Sequence, residues 1–447
     1  MYVFQKIEEK IMHKYQPQTK NNIKEMLDKI GAKNKDELFQ SIPKSIKNRF
    51  AFNLPKKMDD IKLTKHMEKL SKLNNQVISF QGNGAFDHYV PSAVKNITSR
   101  QEFLTSYTPY QPEVSQGTLQ YIFEYQSIVC NLTGMDVSNA SMYDGTTATA
   151  EAVFMAYSIT KKEKILISST VDEKIINVVS TYAKYRGLSV EILKEKDGLL
   201  DINELELLEE DHMGIVIQSP NKYGLIENSS IISSIIHSKK GLMILNREAT
   251  ALPILKTPSS EGADISCGDM QAFGIPVQAG GPYIGYLATK NQYLRKLPGR
   301  ICGMTTDSEE SVGFVLTLQA REQHIRRDKA NSNICSNQSL NALAVVVYTS
   351  LLGKKGLTGI SQTCLDRAAY LKEKLLTIKS FEDPFSSEHF KEFTLKYNKD
   401  AEKLNETLIS KGFLGPKIHK NNLLTFALTE KRSKEEIDLF IEEIKKC

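Results

Sequence analysis

The stretch Lys164–Leu193, KILISSTVDEKIINVVSTYAKYRGLSVEIL, reads as strand, helix, strand. Lys164-Ile-Leu-Ile-Ser168 is a short apolar run of the kind that forms a buried strand. Asp172 to Tyr185 predicts a helix, which Gly187 closes. Leu188-Ser-Val-Glu-Ile-Leu193 is the next strand. The rhythm continues in both directions between about 143 and 290. Gly214-Ile-Val-Ile-Gln218 is a strand that stops at Ser219-Pro220. Ser230 to Lys240 is a helix ended by Gly241. Leu242-Met-Ile-Leu-Asn246 and Tyr283-Ile-Gly-Tyr-Leu287 are further strands. Apolar strands separated by helices need crossover connections, so the sheet is expected to be mostly parallel and the class α/β. Open sheets of this kind place ligands at the carboxyl ends of their strands.

Beyond about 325 the pattern becomes that of a smaller α+β domain. Asn341 to Leu352 and Ser361 to Ile378 are helices, the first apolar and the second amphipathic. Phe393 to Lys396, Lys399 to Lys411 and Leu423 to Leu428 read strand, helix, strand, and Lys434 to Lys446 closes the chain as a helix. Residues 1–75 show no strand pattern. Ile23, Met26, Leu27 and Ile30 make a one-faced helix stopped by Gly31, and Leu63, Met67 and Leu70 make another face. The expected division is a helical arm over 1–75, a large domain over 76–325 and a small domain over 326–447.

Composition narrows the function classes. The 447 residues carry 58 Lys+Arg against 53 Asp+Glu, a formal charge of +5 that is mild for this length and points away from nucleic-acid binding. Cys130, Cys267, Cys302, Cys335, Cys364 and Cys447 form no Cys-x-x-Cys pair, so neither a metal site nor a disulfide framework is expected. A reducing cytoplasm is the simplest compartment. Met1 to Lys10 places charges where a signal peptide needs an apolar run. Ala342 to Leu352, the best apolar run, is far shorter than the ~20 residues that span a bilayer, so no membrane partner is expected.

Several segments carry chemistry. Asp144-Gly-Thr-Thr-Ala-Thr-Ala-Glu-Ala152 opens a helix with Gly145, Thr146 and Thr147. It suits either an anion at a helix N-terminus or an ordinary cap. Tyr107-Thr-Pro-Tyr-Gln-Pro-Glu113 is stiffened by two prolines. Tyr107, Thr108, Tyr110, Gln111, Glu113, Ser115 and Gln116 give it a polar, aromatic face that fits a substrate wall or a surface turn. Asp87 and His88 are adjacent, and sequence neighbours rarely point the same way. Leu316 to Asp328 places Arg321, Arg326 and Arg327 with His324 on an expected helix, either as an anion clamp or as a lattice with Glu322 and Asp328. Arg295, Lys296 and Arg300 read as a solvated or interface loop.

Phe80 to Ala152, Gln218-Ser-Pro-Asn221, Gly262-Ala-Asp264, Gly280-Gly-Pro-Tyr283 and Leu316 to Cys335 resemble, in order and spacing, the subunit 1 family of glycine dehydrogenase (decarboxylating), the P-protein of the glycine cleavage system. Met26 to Gly31, Asp36-Glu-Leu-Phe39 with Ile42-Pro43, and Leu132 to Ala140 fit the same pattern. The resemblance implies a pyridoxal-phosphate (PLP) transferase fold of the aspartate-aminotransferase type (fold type I). It implies that PLP is bound mainly by a partner, subunit 2, as a heterodimer or a dimer of heterodimers. It also implies that the aminomethyl group of glycine passes to the lipoyl arm of the H-protein. The Schiff-base lysine is expected on the partner: no lysine occurs between Lys256 and Lys290, and Gln271 stands near the lysine's place. An amide forms no Schiff base. On this reading no residue of this chain is catalytic. Gly145, Thr146 and Thr147 form a vestigial phosphate turn, and the Tyr107 to Gln116 loop and Arg321 line a shared site. The other reading is a catalytically silent scaffold or regulatory protein that has kept the fold.

Overall fold

The computed structural model describes residues 18–47, 53–74, 76–82, 84–278, 280–330, 332–334 and 336–447. The expectations for Met1 to Lys10 and for Cys335 lie outside these residues. The chain divides into two compact units, residues 1–75 and 76–447.

In the first unit, helix α1 spans Lys20–Ile30. Thr19 and Asn22 exchange side-chain and backbone hydrogen bonds in a capping box, and Gly31 at φ +76° ends the helix. Asp59 caps α2, Asp60–Ser71. Neither helix buries a residue. Met26, Ile30, Leu63 and Met67 stand exposed, so these helices form no core of their own.

The second unit is built on a seven-stranded sheet: β1 Val137–Ser138, β2 Lys164–Ser168, β3 Ser189–Leu193, β4 His212–Gln218, β5 Leu242–Asn246, β6 Ile265–Asp269 and β7 Gly285–Thr289. Their spatial order is β1-β7-β6-β5-β4-β2-β3. From β3 to β6 every pairing is parallel, while β7 runs antiparallel to both β6 and β1. β5 is buried along its whole length, as expected of a strand covered on both faces. Its residues alternate: Met243 and Leu245 enter one core, Leu242 and Ile244 the other. Helices α4, Gly145–Thr160, and α5, Glu173–Tyr185, cover the second face. The first face packs on α3, Gln116–Thr133, α6, Ser229–Ser238, and the start of α7, Ser339–Leu376.

Helix α7 leaves helical geometry once, at Gly353 (φ +58°, ψ −175°). The two helices expected here are its two arms. By length and composition α7 could cross a membrane, yet its apolar residues serve two interiors. Ala342, Val345 and Tyr348 join the sheet core, and Ala368, Leu371 and Leu375 join the C-terminal core. That second core lies under the antiparallel strands β10 Phe381–Glu382, β11 Glu392–Tyr397, β12 Lys417–His419 and β13 Leu423–Ala427, with α8 Ala401–Ser410 and α9 Lys434–Lys445.

One expectation is corrected. The segment from Leu316 is not one helix. Ile301–Thr306 (β8) and Val312–Thr317 (β9) form an antiparallel hairpin. Leu318 then turns at φ +51°, and three short turns follow, Gln319–Arg321, Gln323–Arg326 and Arg327–Lys329, with Arg327 itself at φ +57°. Helix propensity along Gln319 to Arg327 is overridden by the packing of Leu316 and Phe314 against Leu119 and Phe123 of α3.

Candidate active site

Gln218, Asn246 and Asp269 end β4, β5 and β6, and α4 begins at Gly145 beside them. With Ala85, Phe86, and Phe390 and Lys391 from the C-terminal layer, they line a cavity of about 330 Å³. Glycine is required at 145 by proximity: a Cβ there would lie 2.8 Å from the Asp269 backbone nitrogen. The helix start therefore touches the strand end.

A helix N-terminus can hold an anion, but two of the donors at this one are already engaged. The Gly145 N–H donates to Asp269 Oδ2 at 3.1 Å, and the Thr147 N–H donates to Asp144 Oδ1 at 2.7 Å. Two carboxylates thus occupy the amides that would favour an anion. Gln271 is equally committed. Its Oε1 accepts the Phe86 N–H at 3.0 Å, and its Nε2 donates to the carbonyls of Phe86 at 3.1 Å and Ile275 at 2.7 Å. The amide braces the cavity wall and offers no amine. Asn246 donates to Thr149 Oγ1 at 2.8 Å, so an amide also ends β5, where a pyridinium would call for a carboxylate. The residues around this cavity do not fit PLP.

A buried lysine does reach the cavity, from the C-terminal layer. Lys391 is 1% exposed. Its Nζ lies 2.7 Å from Glu248 Oε1, 3.2 Å from His88 Nε2 and 3.7 Å from the centre of the Phe86 ring. His88 Nδ1 is 2.6 Å from Glu430 Oε2, and the Tyr89 N–H donates to the other oxygen at 2.7 Å. Burial, and then the Lys391 charge, hold His88 below its ordinary pKa. A neutral ring fits this geometry, with Nδ1–H donating to Glu430 and Nε2 accepting from Lys391. Burial is the largest single influence on Glu248 and works against its ionised form, but the Lys391 charge, the neighbouring His88 and the hydrogen bonds from Lys391 and Thr250 together outweigh it and keep the carboxyl below its usual range. Asp269 is different: burial pushes it up to about 7, and Asp144 and Glu248 add to the rise.

A family model described as "Glycine cleavage system P-protein" matches residues 13–444. The chain belongs to that family. A P-protein relative from Desulforamulus reducens, named probable glycine dehydrogenase (decarboxylating) subunit 1, is 44% identical over 95% of this chain and 98% of its own. A crystal structure of glycine decarboxylase (P-protein) in inhibitor-bound form is 37% identical, with a TM-score of 0.89 over 97% of this chain and 99% of that one. An aspartate aminotransferase from Thermus thermophilus, 13% identical with a TM-score of 0.57 over 82% and 98%, shares the fold. The P-protein fold is thus fold type I, as the resemblance implied.

Within this P-protein chain the expected site residues fall in two places. Gly145, Thr146 and Gln271 line the cavity, with Thr147 one step behind as the partner of the Asp144 cap. The loop from Tyr107 does not line it. Tyr107, Gln111 and Glu113 are exposed, and Thr108 and Ser115 are half-buried. Gln116 is tied to the β8–β9 hairpin, its Nε2 donating to the Phe314 carbonyl at 2.9 Å and its Oε1 accepting the Phe314 N–H at 2.8 Å. Tyr110 receives a hydrogen bond from Arg300 Nη2 at 3.1 Å and meets the His324 ring edge-on at 5.9 Å. Arg300 is therefore buried, not solvated as its loop suggested. Arg321 donates to the Gly299 carbonyl at 2.7 Å and lies 3.7 Å from Glu322, with Nε and Nη1 buried and unpaired. The motif thus belongs to a second cluster, in which exposed Tyr110 and His324 lie beside buried Arg300 and mostly buried Arg321. Asp87 and His88 diverge: Asp87 pairs with Lys431 and Arg432, and His88 turns to Glu430. Sequence reasoning missed Lys391, Glu248 and Asp269.

Proposed function

We propose that this chain is the subunit of a two-chain glycine dehydrogenase (decarboxylating) that does not carry the cofactor lysine. With subunit 2 it takes part in the decarboxylation of glycine and the transfer of the aminomethyl group to the lipoyl arm of the H-protein. The observation that carries this reading is Gln271, an amide with three hydrogen bonds to the cavity wall where an amine is needed. PLP held by subunit 2 supplies the electron sink for the carbanion that decarboxylation leaves. The work of this chain is positional. The Pro-stiffened Tyr107 to Gln116 loop, braced by Gln116 on the hairpin and by Arg300 on Tyr110, presents tyrosine hydroxyls on a wall backed by the mostly buried guanidinium groups of Arg300 and Arg321. We assign that wall to the shared site. Tyr107 and Tyr110 orient substrate or lipoyl arm there, and Arg321 and Arg300 supply positive charge for an anionic group.

Borohydride reduction of the assembled enzyme, followed by peptide mapping of both chains, tests the division of labour. A pyridoxyl group is expected on a lysine of subunit 2, with none on this chain, and this chain alone releases no carbon dioxide from glycine. Stoichiometric labelling of Lys391 or any other lysine here would overturn it.

A further inference from the structure

Lys391 places an amine in the wall of the cavity, beside Glu248 and Phe86, although PLP does not fit there. An ion pair that only fastened the C-terminal layer would need Glu248 alone. Here the ammonium has a second partner: Nζ lies 3.2 Å from Nε2 of buried His88. His88 is in turn held by Glu430, whose Oε2 is 2.6 Å from Nδ1. Glu430 is fixed by the Tyr89 N–H at 2.7 Å and by Arg367 of α7, which donates to its backbone carbonyl. Amine, imidazole and carboxylate thus form a chain, each within hydrogen-bond reach of the next. That arrangement activates a nucleophile: a base on the nucleophile, and a third group that orients the base.

Two further groups of α7 face this chain. Cys364 Sγ is 3.6 Å from Glu430 Oε2, and burial pushes its thiol up to about 12; burial likewise raises the Tyr348 phenol. Neither adds charge at neutral pH. The cavity wall also limits what the amine can meet. Asp144, Asp172, Glu248, Asp269 and Glu392 stand there against two lysines, and Phe86, Tyr283 and Phe390 supply rings. A ligand with an acid group is repelled, and PLP is such a ligand: the amides of Gly145 and Thr147 are already taken by carboxylates.

We propose that Lys391 is a covalent site for small uncharged aldehydes, which it holds as imines in the cavity, with His88 as proton acceptor and Glu248 as counter-charge. The ammonium gives a proton to His88 Nε2, while Nδ1–H keeps its bond to Glu430. The neutral amine adds to the carbonyl carbon; the C–N bond forms as the C=O π pair moves to oxygen, which takes the proton back from His88. Glu248 carries a proton from nitrogen to the hydroxyl, and water leaves. Ammonium and aldehyde thus become a protonated imine and water, with no oxidant or reductant. The positive charge stays on Nζ, so the enclosed pair with Glu248 survives the reaction. This chemistry needs neither PLP nor subunit 2.

Reductive trapping tests it. The full chain, without its partner, is incubated at pH 7 with benzaldehyde and cyanoborohydride, and its lysines are mapped by mass spectrometry. Lys391 should be benzylated at least tenfold faster than any other lysine. It should react at least tenfold more slowly with 4-carboxybenzaldehyde, which has the same ring and a negative charge. His88→Gln should abolish the lead of Lys391 at pH 7, and its labelling should return as pH approaches the ordinary lysine pKa of about 10.4. A ring that served only to pack would leave that profile unmoved. Lys391→Arg keeps a cation beside Glu248 and should remove the label. Labelling spread evenly over the lysines, Lys391 unmodified or equally reactive with the charged aldehyde, or a wild-type pH profile in His88→Gln would each overturn the proposal. The wild-type map decides even where a variant does not fold. Benzyl and pyridoxyl labels differ in mass and are read on separate preparations, so this result and the division of labour between the subunits can fail independently.

Discussion

Lys391 and Glu248 join the C-terminal layer to the end of β5 by an ion pair of 2.7 Å, with the lysine side chain almost fully enclosed. Both residues line the cavity that Gln271 also lines. Removing one partner of an enclosed pair costs far more than removing both, because the survivor keeps its charge without compensation. Lys391→Met should lower unfolding stability by about 3 kcal/mol. Adding Glu248→Gln should restore more than half of that loss. Urea denaturation of the three variants measures it, and equal losses in the single and double variants would remove the pair from the account of stability.

Glu151 gives a pH signature with a definite sign. It is buried in α4, and burial pushes its pKa from 4.5 up to about 7, against the pull of Ser332 and Arg186. A folded value above the unfolded one means that the stabilising effect is complete below pH 4.5 and is lost as pH rises through about 7. Glu151→Gln cannot titrate. Relative to wild type it should gain roughly 3 kcal/mol between pH 4 and pH 8. Denaturation midpoints at four pH values would show this, and parallel pH profiles would argue against it.

The two tyrosines of the Pro-stiffened loop separate stability from activity. Tyr107 is 76% exposed and Tyr110 accepts from Arg300. Tyr107→Phe should change stability by less than about 0.5 kcal/mol. Tyr110→Phe should cost about 1 kcal/mol, because Arg300 loses an acceptor. Both should slow glycine turnover by the assembled enzyme if the loop faces the shared site. Wild-type turnover in both would return the loop to an ordinary surface turn.

Among the described residues of the first 75, the helices carry exposed apolar faces and no buried residue. Truncation to residues 76–447 should leave the thermal stability of the remaining unit within a few degrees. It should also reduce co-purification with subunit 2 several-fold, because obligate interfaces often exceed ~2,000 Å² and rely on such faces. Gel filtration of the mixed chains decides it, with unchanged co-elution as the contrary result.

Much of the fold was legible because its strands are nearly continuous apolar runs: β2, β4 and β5 could be read directly from Ile, Val and Leu. The hairpin β8–β9 was not. Its residues alternate weakly, and the polar run after it has helical composition, so only contact with α3 decides its form. The site divides the same way. Gly145, Thr146 and Gln271 were visible because turn chemistry and a missing amine are local features. Lys391, His88 and Glu430 come from segments 303 and 342 positions apart along the chain, and no local pattern announces such a meeting. Arg300 looked solvated because its neighbours are basic, while its own burial depends on Tyr110.

Helix α7 has a consequence for how the protein melts. One shaft, bent at Gly353, supplies side chains to the interior beneath the parallel strands and to the interior beneath the C-terminal sheet. Neither interior can lose order without pulling its share of that shaft away from the other. The boundary that sequence composition draws near residue 325 is therefore not a seam along which the molecule would come apart on heating. Residues 76–447 should absorb heat in a single cooperative event, as one calorimetric unit.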